Sequence, residues 1–513
     1  MSPRSPAALM LALVVAVAVT VVVVDQTVPP PSPPDDAVQR PGEAPAATGG
    51  AWTCPVGDGR EGTELTVTAV GPGGEGVEPG RFQLGSFGDG ELDLGEPAWV
   101  FPGTAVHAGL EGDDVAAFAR WFDHPVTVYR HWRLDGGEDL PPGRAQGPCL
   151  AQESDRWWTP GMSTAGGHEA RVRLANPYET DATVAVRLVT PEGPVEPTVL
   201  QNLTVLGRST TEIEVNEHLP ERDDVAVEVE VVAGRLAAEG YQLVRQAIGD
   251  VDGVSLLASA PRPSSTWTIP WVAEGDDRQS WLWLLNPGDR PAPVELTLHG
   301  GDGGVAPEGL AEVTVEPGQL RRIDLRGTFP ENLTSAAVTA RSDGVPIVAS
   351  GAVRLEADDP ADSGTAVQLG ARAHASWFLA GGATEGRAEQ LRLVNPGSEA
   401  ALVDVALWDG SATDRPQELT GVEVPPGALV RLDLVEHLGE VAEWSAIVET
   451  HEGQVVAGHV GTGGPSAREL VAGPAASGAA ATPGGPVLLS RYERGLTQRL
   501  GTREHDEREL PQP

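Results

Sequence analysis

The residues best suited to ligand contact lie in one stretch, residues 120–133, which reads RWFDHPVTVYRHWR. It brings four aromatic residues, three arginines and two histidines into an otherwise acidic chain. Aromatic rings beside arginines on a protein surface favour binding of sugars or of other proteins. The candidate ligand-binding residues are Trp121, Tyr129, His131 and Trp132. The alternative interpretation is an ordinary pair of strands that places Trp121 and Trp132 in the core.

Catalytic and metal-binding motifs are missing from the sequence. The nearest approach to a nucleophile elbow, residues 161–165, ends in Ala165 where glycine is required, and there is neither a zinc-protease motif nor a P-loop. The acidic turns at residues 250–253 and 301–304 supply too few oxygen ligands for a calcium loop. We therefore predict no enzymatic activity, no catalytic residues, no cofactor and no metal.

The two cysteines, Cys54 and Cys149, are expected to form a structural disulfide. An even pair in an exported chain favours this pairing, and two thiols alone are too few ligands for a metal. The bond would tie together the two ends of one domain.

An internal repeat organises the elements around these residues. Trp157, Trp267 and Trp377 follow each other at intervals of 110 residues, and a Leu-x-Asn-Pro motif comes 17, 17 and 16 residues after them. A more divergent copy begins at Trp52, lacks the Asn-Pro motif and carries both cysteines. Self-similarity of several features at one period indicates a repeat array.

Within each repeat, apolar and polar residues alternate with a period of two, as in residues 171–174 and 227–231. This alternation is typical of strands with one buried face, and Pro-Gly and Asp-Gly turns separate the segments. The sequence thus predicts an all-β fold of tandem immunoglobulin- or fibronectin-like antiparallel β-sandwiches of about 110 residues, preceded by one transmembrane helix. Barrels and propeller blades are the alternatives, although a blade needs only about 40–50 residues.

The expected domains follow from these boundaries. They are a signal-anchor helix (1–24), a disordered Pro/Ala-rich stalk (25–50), a diverged disulfide-containing sandwich (51–150), three further sandwiches (151–262, 263–372 and 373–475) and a low-complexity tail (476–513).

Residues 7–24 form an uncharged apolar run that is long enough to span a bilayer. Arg4 precedes the run and Asp25 follows it, so the positive-inside rule places the bulk of the chain outside the cytoplasm. A cleaved signal peptide is the competing interpretation, but the segment lacks a small-residue cleavage site at its end.

The composition excludes a nucleic-acid binder with a basic footprint. The 35 basic residues, all arginine, face 74 acidic ones, for a formal charge of −39. The same charge argues against attachment to anionic lipid headgroups by electrostatics alone.

The apolar N-terminal segment, the Pro-rich stalk, the Trp-Thr-Cys-Pro opening at Trp52 and the Leu-x-Asn-Pro repeats together resemble an actinobacterial family of secreted or membrane-anchored proteins known only as a domain of unknown function. This resemblance implies an envelope location in a high-GC Gram-positive bacterium. It implies no activity and no site residues.

The function expected from the sequence is that of a non-enzymatic extracytoplasmic scaffold or binding protein of the bacterial cell envelope, held as a single-pass protein in the cell membrane. Its partners would be the membrane, through the N-terminal helix, and cell-wall glycan or envelope proteins. The alternative function is recognition of glycan or peptidoglycan through the aromatics of the first domain.

Overall fold

The computed structural model describes residues 49–55, 63–70, 79–101, 104–110, 116–122, 126–136, 141–151, 154–247, 251–356, 363–381, 384, 386–410, 413–463, 471–474 and 476–477. The predicted membrane helix and nearly all of the predicted stalk and tail lie outside these ranges. No helix within the described ranges has both the length and the apolar character needed to cross a bilayer.

Strands dominate the described chain and fall into four groups of nine, here called repeats 1 to 4. Strands β1 to β9 of repeat 1 are Gly49–Cys54, Thr63–Val70, Gly80–Phe87, Leu92–Leu94, Ala98–Val100, Ala105–Leu110, Ala116–Phe122, Thr127–Asp135 and Pro142–Pro148. Strands β10 to β18 of repeat 2 are Arg156–Met162, His168–Asn176, Ala182–Thr190, Gly193–Val195, Gln201–Val205, Ser209–Glu214, Val225–Ala233, Ala237–Ala247 and Val251–Leu257.

The other two repeats have the same number of strands. Strands β19 to β27 of repeat 3 are Thr266–Ala273, Arg278–Leu285, Ala292–Gly300, Gly303–Val305, Glu312–Val315, Leu320–Asp324, Ser335–Ser342, Val348–Leu355 and Gly364–Leu369. Strands β28 to β36 of repeat 4 are Ser376–Gly381, Arg387–Val394, Ala401–Trp408, Thr413–Asp414, Val422–Val424, Leu429–Asp433, Trp444–Glu452, Val456–Gly463 and Val471–Pro474, and β37, Ala476–Ser477, follows them. Short helical segments lie at Thr198–Leu200, Val215–His218, Gln417–Leu419 and Leu434–Leu438.

Each repeat consists of two antiparallel sheets with one pattern of pairing. In repeat 2 the first sheet has the order β10-β16-β12-β13, with β14 also on β12, and the second has the order β15-β11-β17-β18. Subtracting nine from these numbers gives the pairs of repeat 1, adding nine gives those of repeat 3, and adding eighteen gives those of repeat 4, where β37 also pairs with β28. The predicted all-β antiparallel fold is confirmed.

The strand order differs from that of an immunoglobulin domain. In the immunoglobulin fold the first two strands are neighbours in one sheet. Here the first strand of each repeat pairs with the seventh, and the second pairs with the sixth and the eighth.

Alternating side chains build the core between the two sheets. Along β12, Ala182, Val184, Val186 and Leu188 are buried, while the residues between them are partly exposed. They join Val172 of the opposite sheet in one apolar cluster, which continues into repeat 3. The period of two therefore places one face of each strand inside the sandwich.

The four repeats form a closed ring. The ninth strands of the repeats meet in sequence around the centre: β9 lies against β18, β18 against β27, β27 against β36, and β36 against β9. Strands β9 and β18 approach each other so closely that a Cβ on Gly143 of β9 would lie 3.0 Å from Cγ1 of Val254 in β18. The Ser255 hydroxyl of β18 donates to the Thr365 carbonyl of β27 at 3.2 Å.

Further from this centre, the turn that follows the third strand of one repeat meets the turn before the sixth strand of the next. Between repeats 1 and 2, the backbone N–H of Gly90 donates to the Arg208 carbonyl at 3.0 Å. Between repeats 3 and 4, Nδ1 of His299 bonds to the Gly427 carbonyl at 2.8 Å. Repeats 1 and 2, and repeats 3 and 4, are thus joined at this second place as well as through their ninth strands.

Candidate functional site

The three aromatic residues predicted to bind ligand are buried, and two of them, Tyr129 and Trp132, lie in the interfaces between repeats, here called seams. Trp121 is 3% exposed, Tyr129 is 4% exposed and Trp132 is fully buried. The ring of Trp132 packs edge-on against Tyr241 of repeat 2, with centroids 5.4 Å apart. The Tyr129 hydroxyl donates to the Phe378 carbonyl of repeat 4 at 2.7 Å. Neighbouring repeats thus contact the rings of Tyr129 and Trp132, and Trp121 is buried in an apolar cluster of repeat 1 that also includes residues of repeat 4.

The recurring tryptophans join the first strand of each repeat to the start of its eighth strand. In all four copies the indole N–H donates to the backbone carbonyl of the residue directly before the eighth strand. The pairs are Trp52 with Val126, Trp157 with Leu236, Trp267 with Ile347 and Trp377 with Val455. Buried indole N–H groups usually find such a partner, which accounts for the recurring spacing.

The asparagine of each Leu-x-Asn-Pro motif closes the turn that follows the second strand. Nδ2 of Asn286 donates to the carbonyls of Arg290 and Val315 at 2.7 and 2.9 Å, and its Oδ1 accepts from the N–H of Gly288 at 3.0 Å. Asn176 and Asn395 make the same three kinds of bond in their own repeats. The motif has a structural role in every repeat that carries it.

Replacing Asn286 with alanine should lower the free energy of unfolding by about 2–3 kcal/mol, because the buried Val315 carbonyl would lose its donor. Urea unfolding measures this loss. Asp289→Ala, in the same turn but exposed, is the matched control and should change stability by less than about 0.5 kcal/mol. Equal effects of the two substitutions would contradict the assigned role.

The predicted disulfide between Cys54 and Cys149 is confirmed. It links the end of β1 to the residue after β9, and both cysteines belong to an apolar cluster shared with Phe378 and Ile447 of repeat 4. At the equivalent position of repeat 2, the hydroxyls of Thr159 and Ser259 are hydrogen-bonded at 2.6 Å. A covalent bond thus replaces a hydrogen bond in the repeat at which the ring closes.

A buried ion pair joins repeats 1 and 2. Nη2 of Arg130 on β8 bonds to Oε1 of Glu239 on β17, and both side chains are at most 1% exposed. Nearby, Glu212 accepts from the Tyr241 hydroxyl at 2.6 Å and from Arg173 at 3.0 Å. Although burial alone would raise the pKa of Glu212, these donors hold it below its usual value.

A chain of hydrogen bonds crosses the seam between repeats 1 and 4. Oε1 of Gln146 bonds to Nδ1 of His131 at 3.2 Å, and Nε2 of Gln146 donates to Nδ1 of His459 at 2.7 Å. Nε2 of His459 then bonds to Glu389, whose other oxygen accepts from Arg387 at 2.9 Å. His131, one of the predicted ligand-binding residues, therefore takes part in closing the ring.

These hydrogen bonds between repeats 1 and 4 should make the folded protein less stable at acid pH. Burial raises the pKa of Glu389, but His459 and Arg387 outweigh it and hold the pKa below its usual value. Because the folded-state pKa is the lower one, the carboxylate contributes stability above its unfolded pKa of about 4.3, and this is lost as pH falls through the folded value. In thermal unfolding between pH 7 and 3, the wild type should lose more stability than Glu389→Gln.

Glu312→Gln, at an exposed position, is the control for that measurement and should follow the wild type throughout. Parallel pH profiles for the wild type and Glu389→Gln would show that Glu389 contributes nothing to the pH dependence.

The seam between repeats 2 and 3 places a carboxylate between an indole and an arginine. Nε1 of Trp283 donates to Oδ1 of Asp224 at 2.8 Å, and Nη1 of Arg322 lies 3.8 Å from the same oxygen. Burial raises the pKa of Asp224 in spite of both neighbours. The guanidinium of Arg322 also lies 4.7 Å from the ring centroid of Trp281.

The seam between repeats 3 and 4 contains two arginines. Nη2 of Arg392 bonds to the hydroxyl of Ser335 at 3.1 Å and lies 3.5 Å from the Ala336 carbonyl. Arg431 lies directly opposite Arg392 on the neighbouring strand. Its Nη2 donates to the Ser335 carbonyl at 2.6 Å. In contrast to the preceding seam, the polar partners here are a hydroxyl and backbone carbonyls.

Sequence reasoning missed the charged residues of the seams, above all Arg130, Glu239, Glu389 and Arg392. Each stands among alternating residues of a strand, where a charge usually points to solvent. The available signal was the density of arginine and histidine in residues 129–133, which sequence analysis attributed to ligand binding. Among the described residues, no group of three or more His, Cys, Asp or Glu side chains is placed to hold a metal ion.

The fold and the contacts between repeats define an all-β protein. It is built from four repeats of two antiparallel sheets each, and these repeats close into a ring. A model described as a family of unknown function (DUF5719) matches residues 142–376 and 370–460. The chain belongs to this family, and the resemblance to a family of unknown function is confirmed.

Other comparisons add little to this membership. A solved structure titled "Crystal Structure of Thermotoga maritima 1070" is 17% identical to this chain, covers 21% of it and 95% of its own length, and has a TM-score of 0.18. No curated protein matches the chain.

Proposed function

We propose that the protein is a non-enzymatic scaffold or binding component of a bacterial cell envelope, exposed outside the cell and held by its N-terminal apolar segment. The observation that carries this proposal is the closure of the ring by the seam between repeats 1 and 4. Such closure makes one body of the four repeats. Tyr129, Arg130 and Trp132 serve contacts between its repeats, and a closed body of this kind suits a support for other molecules.

The disulfide supports the extracytoplasmic placement. Disulfides persist in oxidising compartments and are rare in the cytosol of most organisms. The formal charge of −39 favours a well-solvated surface and disfavours adhesion to anionic polymers, so a protein partner held near the membrane fits better than a purely electrostatic attachment. An envelope of a high-GC Gram-positive bacterium is the setting that we propose.

Labelling of intact cells tests the placement. The chain has no cysteine besides the bonded pair, so single reporter cysteines can be introduced. Asp289→Cys, in an exposed turn, should react with a membrane-impermeant maleimide in intact cells, and Ser5→Cys should react only after lysis. Labelling of both positions only after lysis would overturn the proposed location.

Sedimentation with purified cell wall tests the scaffold role against glycan recognition. With Trp121, Tyr129 and Trp132 buried, we expect no retention of the chain that survives high salt. Retention across the whole salt series would show specific glycan or muropeptide binding and would contradict the proposed absence of glycan recognition.

A further inference from the structure

Arg392 has an unusual environment for an arginine. Its side chain is 1% exposed, and its Nε–H has no hydrogen-bond partner within the described part of the chain. Its hydrogen bonds are those to the Ser335 hydroxyl and the Ala336 carbonyl. A buried guanidinium ordinarily requires a carboxylate or another anion, because removal of the cation from water is costly.

The nearest charged neighbour worsens this imbalance. Arg431 lies opposite Arg392 in the antiparallel register, and its exposed side chain reaches the same residue, Ser335. Burial, followed by repulsion from Arg431, lowers the pKa of Arg392 to about 9, and no acidic group of the described residues acts in the opposite direction. Because guanidinium groups stay protonated in proteins, the site carries two positive charges.

The equivalent position in other repeats supplies the negative charge that is lacking here. Register with the first strand aligns Ser335 with Asp224 of repeat 2 and with Glu443 of repeat 4. In the seam between repeats 2 and 3, the Asp224 carboxylate accepts from Trp283 and faces Arg322. The seam between repeats 3 and 4 therefore has an additional arginine and lacks the carboxylate.

We propose that the seam between repeats 3 and 4 binds a small oxyanion between Arg392, Arg431 and the Ser335 hydroxyl. The anion takes the place that a carboxylate occupies in the preceding seam. The Nε–H of Arg392 and the remaining N–H groups of Arg431 are the donors, and such charge-assisted bonds are the strong ones. Exposure of Arg431 leaves an entrance from solvent, and burial of Arg392 restricts the ligand to a small ion.

This site does not depend on the proposed envelope function. Its occupant is identified by chemistry alone, as a compact anion with several acceptor oxygens, for which inorganic phosphate is a suitable probe. Sulfate has the same shape and acetate has a planar pair of oxygens, so the three ions together separate a tetrahedral from a planar preference.

Isothermal titration of the full chain with phosphate, at constant ionic strength in chloride, tests the proposal. The wild type should bind one phosphate per chain. Arg431→Gln, at an exposed position, should weaken binding at least tenfold, and Ser335→Asp should abolish it by supplying the carboxylate found at Asp224. Ser335→Asp should also raise the thermal midpoint in phosphate-free buffer, which shows that this variant folds.

Arg322→Gln in the preceding seam is the matched control and should leave phosphate binding unchanged, because Asp224 already provides the anion there. Absence of binding at 10 mM phosphate, sulfate and acetate, on the order of a hundredfold above a 0.1 mM Kd, would overturn the proposal. Unchanged affinity in both Arg431→Gln and Ser335→Asp would also overturn it.

Discussion

Arg130→Met should lower the free energy of unfolding by about 3–5 kcal/mol, the usual cost of breaking a buried ion pair from one side. The substitution removes the guanidinium that Glu239 faces across the seam between repeats 1 and 2. A carboxylate at most 1% exposed would then remain in a dry site without that cation. The shift of the urea midpoint at pH 7 measures the effect.

A double variant distinguishes the lost pair from lost packing. Arg130→Met together with Glu239→Leu removes both charges and should recover most of the stability, because an apolar replacement of a buried pair is often neutral. If the double variant is as unstable as the two single changes added together, the loss does not arise from separating Glu239 from the Arg130 guanidinium.

Loss of the disulfide should have an effect of similar size. Cys54→Ser with Cys149→Ser opens a loop with a sequence separation of 95 residues. The chain-entropy model assigns such a loop about 4–5 kcal/mol. Since the cysteines also pack against repeat 4, the seam between repeats 1 and 4 should be exposed to proteolysis first. Urea unfolding, combined with mass spectrometry of the first cleavage products, measures both effects.

Repeat 2 provides the matched control for this prediction. Thr159→Val removes the hydrogen bond to Ser259 at the equivalent position and should cost only about 1 kcal/mol. If removal of the disulfide costs no more than Thr159→Val, the covalent link has no special part in holding the ring.

The repeat architecture could be derived from the sequence because its signals are local. Each repeating tryptophan needs a carbonyl for its indole N–H, and each motif asparagine closes one turn, so both are retained at fixed spacing. The alternation of side chains specifies strands with one buried face. The disulfide could be derived since Cys54 and Cys149 had no other possible partner.

Ring closure could not be derived in the same way. It depends on the outer faces of sheets, and alternation tells which residues share a face without telling what covers that face. Tyr129 and Trp132 illustrate the difficulty: both look like surface aromatics in a sequence, and their covers are Phe378 and Tyr241, each more than 100 residues away along the chain.

The candidate anion site could not be predicted from the sequence for a related reason. Arg392 occupies a position that alternation alone cannot distinguish from an exposed one. Its significance comes from comparison of Ser335 with Asp224, and that comparison requires the register of the strands. Charges that differ between equivalent seams are therefore visible only once the repeats are superimposed.

Small-angle X-ray scattering of residues 49–477 tests most directly whether the four repeats close into a ring. A compact body of this length should have a radius of gyration of roughly 22 Å. Four sandwiches in an open row, each about 13 Å in radius of gyration, would give about 40 Å. We expect a radius of gyration near 22 Å that is unchanged by dilution. A value near the larger figure would contradict ring closure.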